Sequence, residues 1–260
     1  MTLLRSLLLA GAFAAVGAAA CPPAAGCYEQ GVAAFVKEDY KASGQAFEKA
    51  VAAEPENPDF HLWLGRAWGR RAERATGFAK LGALSLARQV RDEFLRAIEL
   101  DPKHLGALQS LFDYYLNAPG IVGGGDDKAE ALIDDIAAVD PARGLRARAA
   151  LLEKQGAADE AEKALREAVR LEPNELDHQL SLAGFLARQG RFEESDRFFV
   201  AAAEQAPDSP AVWYARAKAL IRSKRGAAEA RRLLERYLKT PLAEPDAEPY
   251  SNARSLLDEL

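Results

Sequence analysis

A two-helix unit recurs about every 34 residues along this chain and closes each time on an alanine, four residues and a proline. Ala50 with Pro55, Ala97 with Pro102, Ala168 with Pro173 and Ala202 with Pro207 carry the closure, and Ile136 with Pro141 is a degraded copy. A unit of that size cannot bury its apolar face alone, so neighbours must stack, and the stack is a helical solenoid. The usual product of such a fold is a long concave surface rather than a catalytic pocket.

The side chains inside the units are those that close helix packing requires. Two antiparallel helices approach only where a small residue on one faces a large residue on the other. Gly65 and Ala183 are positioned to admit a neighbour, and Phe94 and Phe199 to fill the remaining space. The chain has 260 residues, 49% hydrophobic and 28% charged, enough for a continuous core with solvated outer faces. A net charge of −5 and a pI near 5.5 oppose the uniformly basic footprint that a phosphate backbone needs, so nucleic acid is not an expected partner.

Residues 1–20 read as an export signal: Arg5 supplies positive charge, Leu7 to Val16 an apolar run, and Ala18 to Ala20 a small-residue exit. The alternative is an uncleaved N-terminal anchor. Cys21 and Cys27, the only cysteines, follow directly. In an oxidising compartment they can form a disulfide across the intervening loop. Cys21 could instead accept a lipid, although Ala18 stands where bacterial lipoprotein signals usually carry Leu, and Cys27 could simply be a small buried hydrophobe. The expected location is periplasmic or otherwise exported, with a membrane-anchored lipoprotein as the alternative.

The repeats resemble the tetratricopeptide repeat (TPR) family, and in particular bacterial exported members of it. His61-Leu62-Trp63-Leu64-Gly65 with Trp68 matches the family's first helix, and Phe94, Ala97 and Pro102 its second. Leu182-Ala183, Leu186, Gly190, Phe192, Ser195, Phe199, Ala202 and Pro207 form the cleanest copy. Ala149, Leu152, Gly156, Ala161, Leu165, Ala168 and Pro173 form another, and Trp213, Ala217 and Leu220 open one more. The resemblance implies an all-α, right-handed α-solenoid of about six TPR hairpins plus a C-terminal capping helix. The repeats are placed at about 24–57, 58–102, 104–141, 142–173, 175–207 and 209–241, within a solenoid spanning 21–241. A linker and capping helix occupy 242–260, where Leu256, Leu257 and Leu260 share one face.

Two units exceed the standard length. About a dozen extra residues lie between Trp68 and a second helix expected around Val90 to Leu100, and Asn117 to Asp126 separates the helices of the next unit. Both insertions fall at the same turn of consecutive units, so they are expected to touch or nearly touch. The glycines at 123–125 invite a phosphate-binding reading. Without a Gly-Lys-Ser/Thr ending or a preceding strand the nucleotide fingerprints are missing, and Asp126 and Asp127 are expected to cap the following helix.

Catalytic constellations are scarce. His61, His104 and His178 are never paired at helical spacing, and no serine elbow, Cys-His pairing or calcium loop is present. No enzyme activity, metal or cofactor is expected. The family's register places Arg66, Arg70, Asp113, Asn117, Arg143, Arg146, Arg188, Tyr214, Lys218 and Arg222 on the concave face. That face could focus an acidic protein or peptide segment, or its arginines could simply lie along solvated helices. The expected function is an exported scaffold for protein interaction, with membrane contact only through a lipidated Cys21 or an uncleaved signal. A small-ligand or glycan module built on Trp68, Tyr114 and Tyr115 near the insertions is the alternative.

Overall fold

A computed structural model describes residues 24–75, 79–241 and 248–260. The leader 1–20, Cys21 and all of the linker except Glu248 lie outside the described residues. Cys27 is fully buried in the first helix and does not stand free.

The described residues form thirteen α-helices and one short 3-10 turn, with no strand. The helices are α1 (Ala24–Val36), α2 (Tyr40–Ala53), α3 (Pro58–Glu73), α4 (Ala79–Leu100), α5 (Leu105–Asn117), α6 (Asp126–Val139) and α7 (Pro141–Lys154). They continue as α8 (Ala158–Leu171), α9 (Leu176–Arg188), α10 (Phe192–Gln205), α11 (Pro210–Arg222), α12 (Ala227–Lys239) and α13 (Tyr250–Asp258). Each odd-numbered helix up to α11 packs on the even one after it, and successive hairpins stack, so the chain is an all-α solenoid. Among the described residues no helix is long and apolar enough to cross a membrane.

Local chemistry sets these boundaries. Asn57, Asp140 and Ser209 each cap a first helix by accepting a backbone N–H, and Pro58, Pro141 and Pro210 follow at the first helical position, where a missing N–H is harmless. In α8 the buried residues are Ala161, Ala164, Leu165 and Ala168, one stripe at helical spacing. Gly156 and Gly190 end α7 and α9 with φ of 82° and 75°, a left-handed conformation that favours glycine.

The small-against-large pairing appears atom by atom. A Cβ added to Gly65 would lie 2.5 Å from the Phe94 ring, one on Gly44 would strike Trp68, and one on Gly31 would strike Phe47. Polar links repeat as well. Ser43 donates to the Gly31 carbonyl at 2.9 Å and Ser195 to that of Ala183 at 2.8 Å, each across the same hairpin interval. His61 Nε2, Gln179 Nε2 and Trp213 Nε1 each reach back to the carbonyl of the preceding Pro55, Pro173 or Pro207. The core is accordingly a row of apolar clusters sharing border residues, Ile98 and Leu132 at one junction and Phe198 at another.

From Ala79 onward the first insertion is helix rather than the loop expected from the sequence. Helix α4 begins at Ala79 and has 22 residues, eight more than α2, α6, α8 and α10. At 1.5 Å per residue the overhang extends the helix by about 12 Å. Residues 79–89 contain no proline and mostly good helix formers, so nothing in that stretch stops the helix. The second insertion folds as the 3-10 turn Gly120–Val122 and lies against α4, with an Arg88 guanidinium N–H 3.4 Å from the Ile121 carbonyl. The two insertions do meet, as a helix against a turn.

Asp126 and Asp127 stand in the first turn of α6, but neither supplies a side-chain cap; Gly125 occupies that position. Asp126 instead pairs with Lys154 Nζ at 2.6 Å, because α7 packs alongside and offers a charge. Of the loop glycines only Gly123, with φ of 97°, needs the left-handed region. Gly124 serves close approach, since an added Cβ would overlap the Ala118 carbonyl.

Candidate functional site

The inner helices α3, α5, α7, α9 and α11 line a trough containing three recesses. One of about 600 Å³ lies between α3, α4, α5 and the turn at Val122. A second of about 430 Å³ crosses α5, α7 and α9, and a third of about 550 Å³ lies between α9 and α11. Of the ten residues assigned to this face from the sequence, all but Tyr214 border a recess. Tyr214 is buried, its ring 5.4 Å from that of Tyr237 in the C-terminal core, because α13 covers this end of the stack.

Most of the trough cations are answered by the protein itself. Arg70 pairs with Glu73 at 3.3 Å, Arg143 with Asp140 at 3.1 Å, Arg146 with Asp177 at 3.4 Å, and Arg188 with Glu153 through two bonds of 2.6 and 2.8 Å. Arg143 also donates to Gln109, and Arg66 donates to Ser110 and lies over the Trp63 ring. Much of the positive charge on this face is thus compensated within the fold. The partners Glu153 and Asp177 sit on neighbouring inner helices, 35 and 31 residues from their arginines. Scanning the sequence for opposite charges one repeat apart would have found them.

Lys218 and Arg222 differ, since neither forms an ion pair among the described residues. Lys218 is half-buried over the Tyr214 ring, 5.7 Å from its centroid. Burial lowers its pKa, Arg222 and Arg188 add to that lowering, and Glu248 opposes it. Two cations one helical turn apart, without an ion pair among the described residues, thus border the third recess, beside the apolar surfaces of Leu180 and Phe192.

Asp113 is the carboxylate on the trough floor, and Asn117 donates to its backbone carbonyl at 2.9 Å. Its side chain is open to water along the trough yet walled by protein elsewhere. That enclosure raises its carboxyl pKa to about 6, while Arg146 and Arg66 pull it down.

The aromatics proposed for a glycan are mostly occupied. Trp68 is 5% exposed and belongs to the core against Gly44. Tyr114 borders the first recess with its hydroxyl donating to the Val122 carbonyl at 2.7 Å, and Lys128 lies over Tyr115. His61 has Glu93 Oε2 at 2.6 Å from Nδ1 and the Pro55 carbonyl at 2.9 Å from Nε2, so both nitrogens face acceptors. His104 caps α5 and His178 is buried beside Glu172. Among the described residues no group of three His, Cys, Asp or Glu side chains could hold a metal ion.

Two family models, each described as tetratricopeptide repeat, match residues 28–104 and 152–219. The chain is built of tetratricopeptide repeats. Solved structures agree on the fold. A thermophilic TPR protein of Thermus thermophilus superposes with a TM-score of 0.58 at 24% identity, over 76% of this chain and 99% of that one. A TPR protein of Parabacteroides merdae gives 0.52 at 14% identity, over 91% and 98%. The pilF protein of Pseudomonas aeruginosa gives 0.51 at 10% identity, over 89% and 96%. No curated protein matches this chain. TPR proteins are generally non-catalytic scaffolds that bind protein partners, and this chain shares their repeat.

Proposed function

We propose that this protein is an exported interaction scaffold that holds an extended, acidic protein segment in its trough, with Lys218 and Arg222 as the principal seat for its carboxylates. The observation that carries the reading is the contrast along the inner face. Arg70, Arg143, Arg146 and Arg188 are paired with carboxylates, whereas among the described residues Lys218 and Arg222 form no ion pair. A half-buried ammonium gains more from an incoming carboxylate than an exposed one, because less water screens the pair. The neighbouring Leu180 and Phe192 offer apolar contact to the segment's stem. Export is supported by the charged start, apolar run and small-residue exit of residues 1–20.

The test uses a fluorescein-labelled glutamate-rich peptide and fluorescence anisotropy at low ionic strength. Reversal of both seat charges, Lys218→Glu with Arg222→Glu, should abolish binding, and added salt should weaken it in the unaltered protein. Reversal of Arg143 and Arg146 should weaken binding less, since their own carboxylates already neutralise them. Equal binding by the Lys218/Arg222 reversal and the unaltered protein would refute the seat.

A further inference from the structure

The turn between α1 and α2 is built like those after α7 and α9. In each, the left-handed residue donates its N–H three residues back and the next residue donates five back: Glu38 and Asp39, Gly156 and Ala157, Gly190 and Arg191. Where those two turns use glycine, this one has Glu38 at φ 61°, as the turn after α11, with the same bond pattern, has Lys224 at φ 54°. A side-chain-bearing residue is disfavoured in that conformation relative to right-handed backbone. Nothing within the hairpin requires a carboxylate there.

The Glu38 carboxylate acts at the other end of the chain. Its Oε1 accepts the backbone N–H of Ser251, in the first turn of α13, at 2.9 Å across 213 residues of sequence. Its Oε2 pairs with Arg74, the C-cap of α3, and Arg74 also donates to the Ser251 hydroxyl. The Arg74 guanidinium lies over the Tyr40 ring, 4.6 Å from its centroid. Glu38 thus caps the N-terminus of α13, where a negative charge meets unsatisfied N–H groups and the positive end of the helix dipole. Helix α13 is meanwhile fixed to the last repeat. Ala253 and Leu256 pack into the cluster of α11 and α12, and the Tyr250 hydroxyl donates to the Thr240 carbonyl at 2.7 Å.

We propose that Glu38 and Arg74 form a clasp that joins the first repeats to the C-terminal helix and closes the row of hairpins on itself. The trough is then bounded at both ends, and its opening is set by the clasp as well as by the stacking of neighbours. The geometry supplies a glutamate at the left-handed position that glycine holds after α7 and α9, a helix end that its carboxylate caps, and a guanidinium shared between the two partners. The clasp stands apart from the trough's ligand, so it can fail while the proposed function survives, and the reverse.

The test places spin labels on Lys41→Cys and Arg254→Cys, both exposed and close to the two halves of the clasp, in the oxidised full chain. Double electron–electron resonance should give one short, narrow distance. Glu38→Gly deletes the carboxylate while keeping a residue suited to the left-handed turn, so the hairpin stays folded. In that variant, and in Arg74→Ala, the distance should lengthen and broaden, and the radius of gyration from small-angle scattering should rise, with unchanged far-UV circular dichroism. A broad distribution in the unaltered clasp, or the same narrow distance in both variants, would overturn the proposal. So would a short distance between singly labelled chains after mixing, which would place the contact between copies.

Discussion

Replacing Gly65 by alanine should destabilise this protein, although alanine is the better helix former. In an exposed helix interior the exchange gains about 1 kcal/mol. At Gly65 the new Cβ would sit 2.5 Å from Phe94 Cε1 and 2.8 Å from Cδ1, against the roughly 3.5–4.0 Å that carbon atoms prefer. Phe94 is 5% exposed and packed among Trp68, Val90 and Ala97, so the ring has no free direction in which to yield. Overpacking of this kind costs about 1–3 kcal/mol. After the propensity gain is subtracted, a net loss of up to about 2 kcal/mol is expected. Gly82 in α4 is the internal control, since no atom lies within 4 Å of its added Cβ. Gly82→Ala should stabilise, by up to about 1 kcal/mol. Urea unfolding followed by far-UV circular dichroism reads both. The loss should concentrate in the early part of the transition, because a solenoid transmits stability only between neighbouring units. Adding Phe94→Leu to Gly65→Ala should recover part of the loss. A Gly65→Ala midpoint at or above that of Gly82→Ala would refute the small-against-large account of the stack.

Three further outcomes follow from the same geometry. His61 has its pKa raised, first by the hydrogen bond it donates to the Glu93 carboxylate and against the effect of burial, so it binds its proton more tightly folded than unfolded. Its contribution to stability is complete below the unfolded value of about 6.5 and lost as pH rises through the folded value. Unfolding of the parent and of Glu93→Gln should therefore converge towards alkaline pH, and a constant difference across the range would contradict the pairing. Asp113, raised to about 6, should lose its charge as pH falls through that region, making the trough more cationic. Binding of the glutamate-rich peptide should tighten on mild acidification, and Asp113→Asn should bind more tightly at neutral pH and remove that part of the pH dependence. Gly124→Ala should disrupt the turn that carries the second insertion, because its Cβ meets the rigid Ala118 carbonyl, whereas Gly120→Ala, with nothing within 4 Å, should be nearly neutral in thermal melts.

The hairpin unit was legible in the sequence because the interactions that make it span only one unit. Gly65 and Phe94, Ser195 and the Ala183 carbonyl, and the capping residues before Pro58 and Pro210 lie within or next to one hairpin. Their spacing therefore survives as a period in the chain. The inner-face register is equally local, since it follows from helical phase, and it placed nine of ten residues beside a recess. Tyr214 escaped that rule because α13 covers it, and helical phase carries no information about what packs over the last unit.

Tertiary structure alone decided the charge state of the trough and the closure of the row. Arg188 meets Glu153, and Arg146 meets Asp177, only after adjacent repeats have taken their stacking angle. Residues 79–89 of the first insertion are helical by their own composition, and the tertiary structure adds the contact of that overhang with the 3-10 turn of the next unit. The contact of Glu38 with Ser251 depends on the summed curvature of every hairpin between them, a quantity that no single stretch of residues encodes. Periodic short-range packing writes itself into a sequence, and the place where the two ends of the row arrive does not.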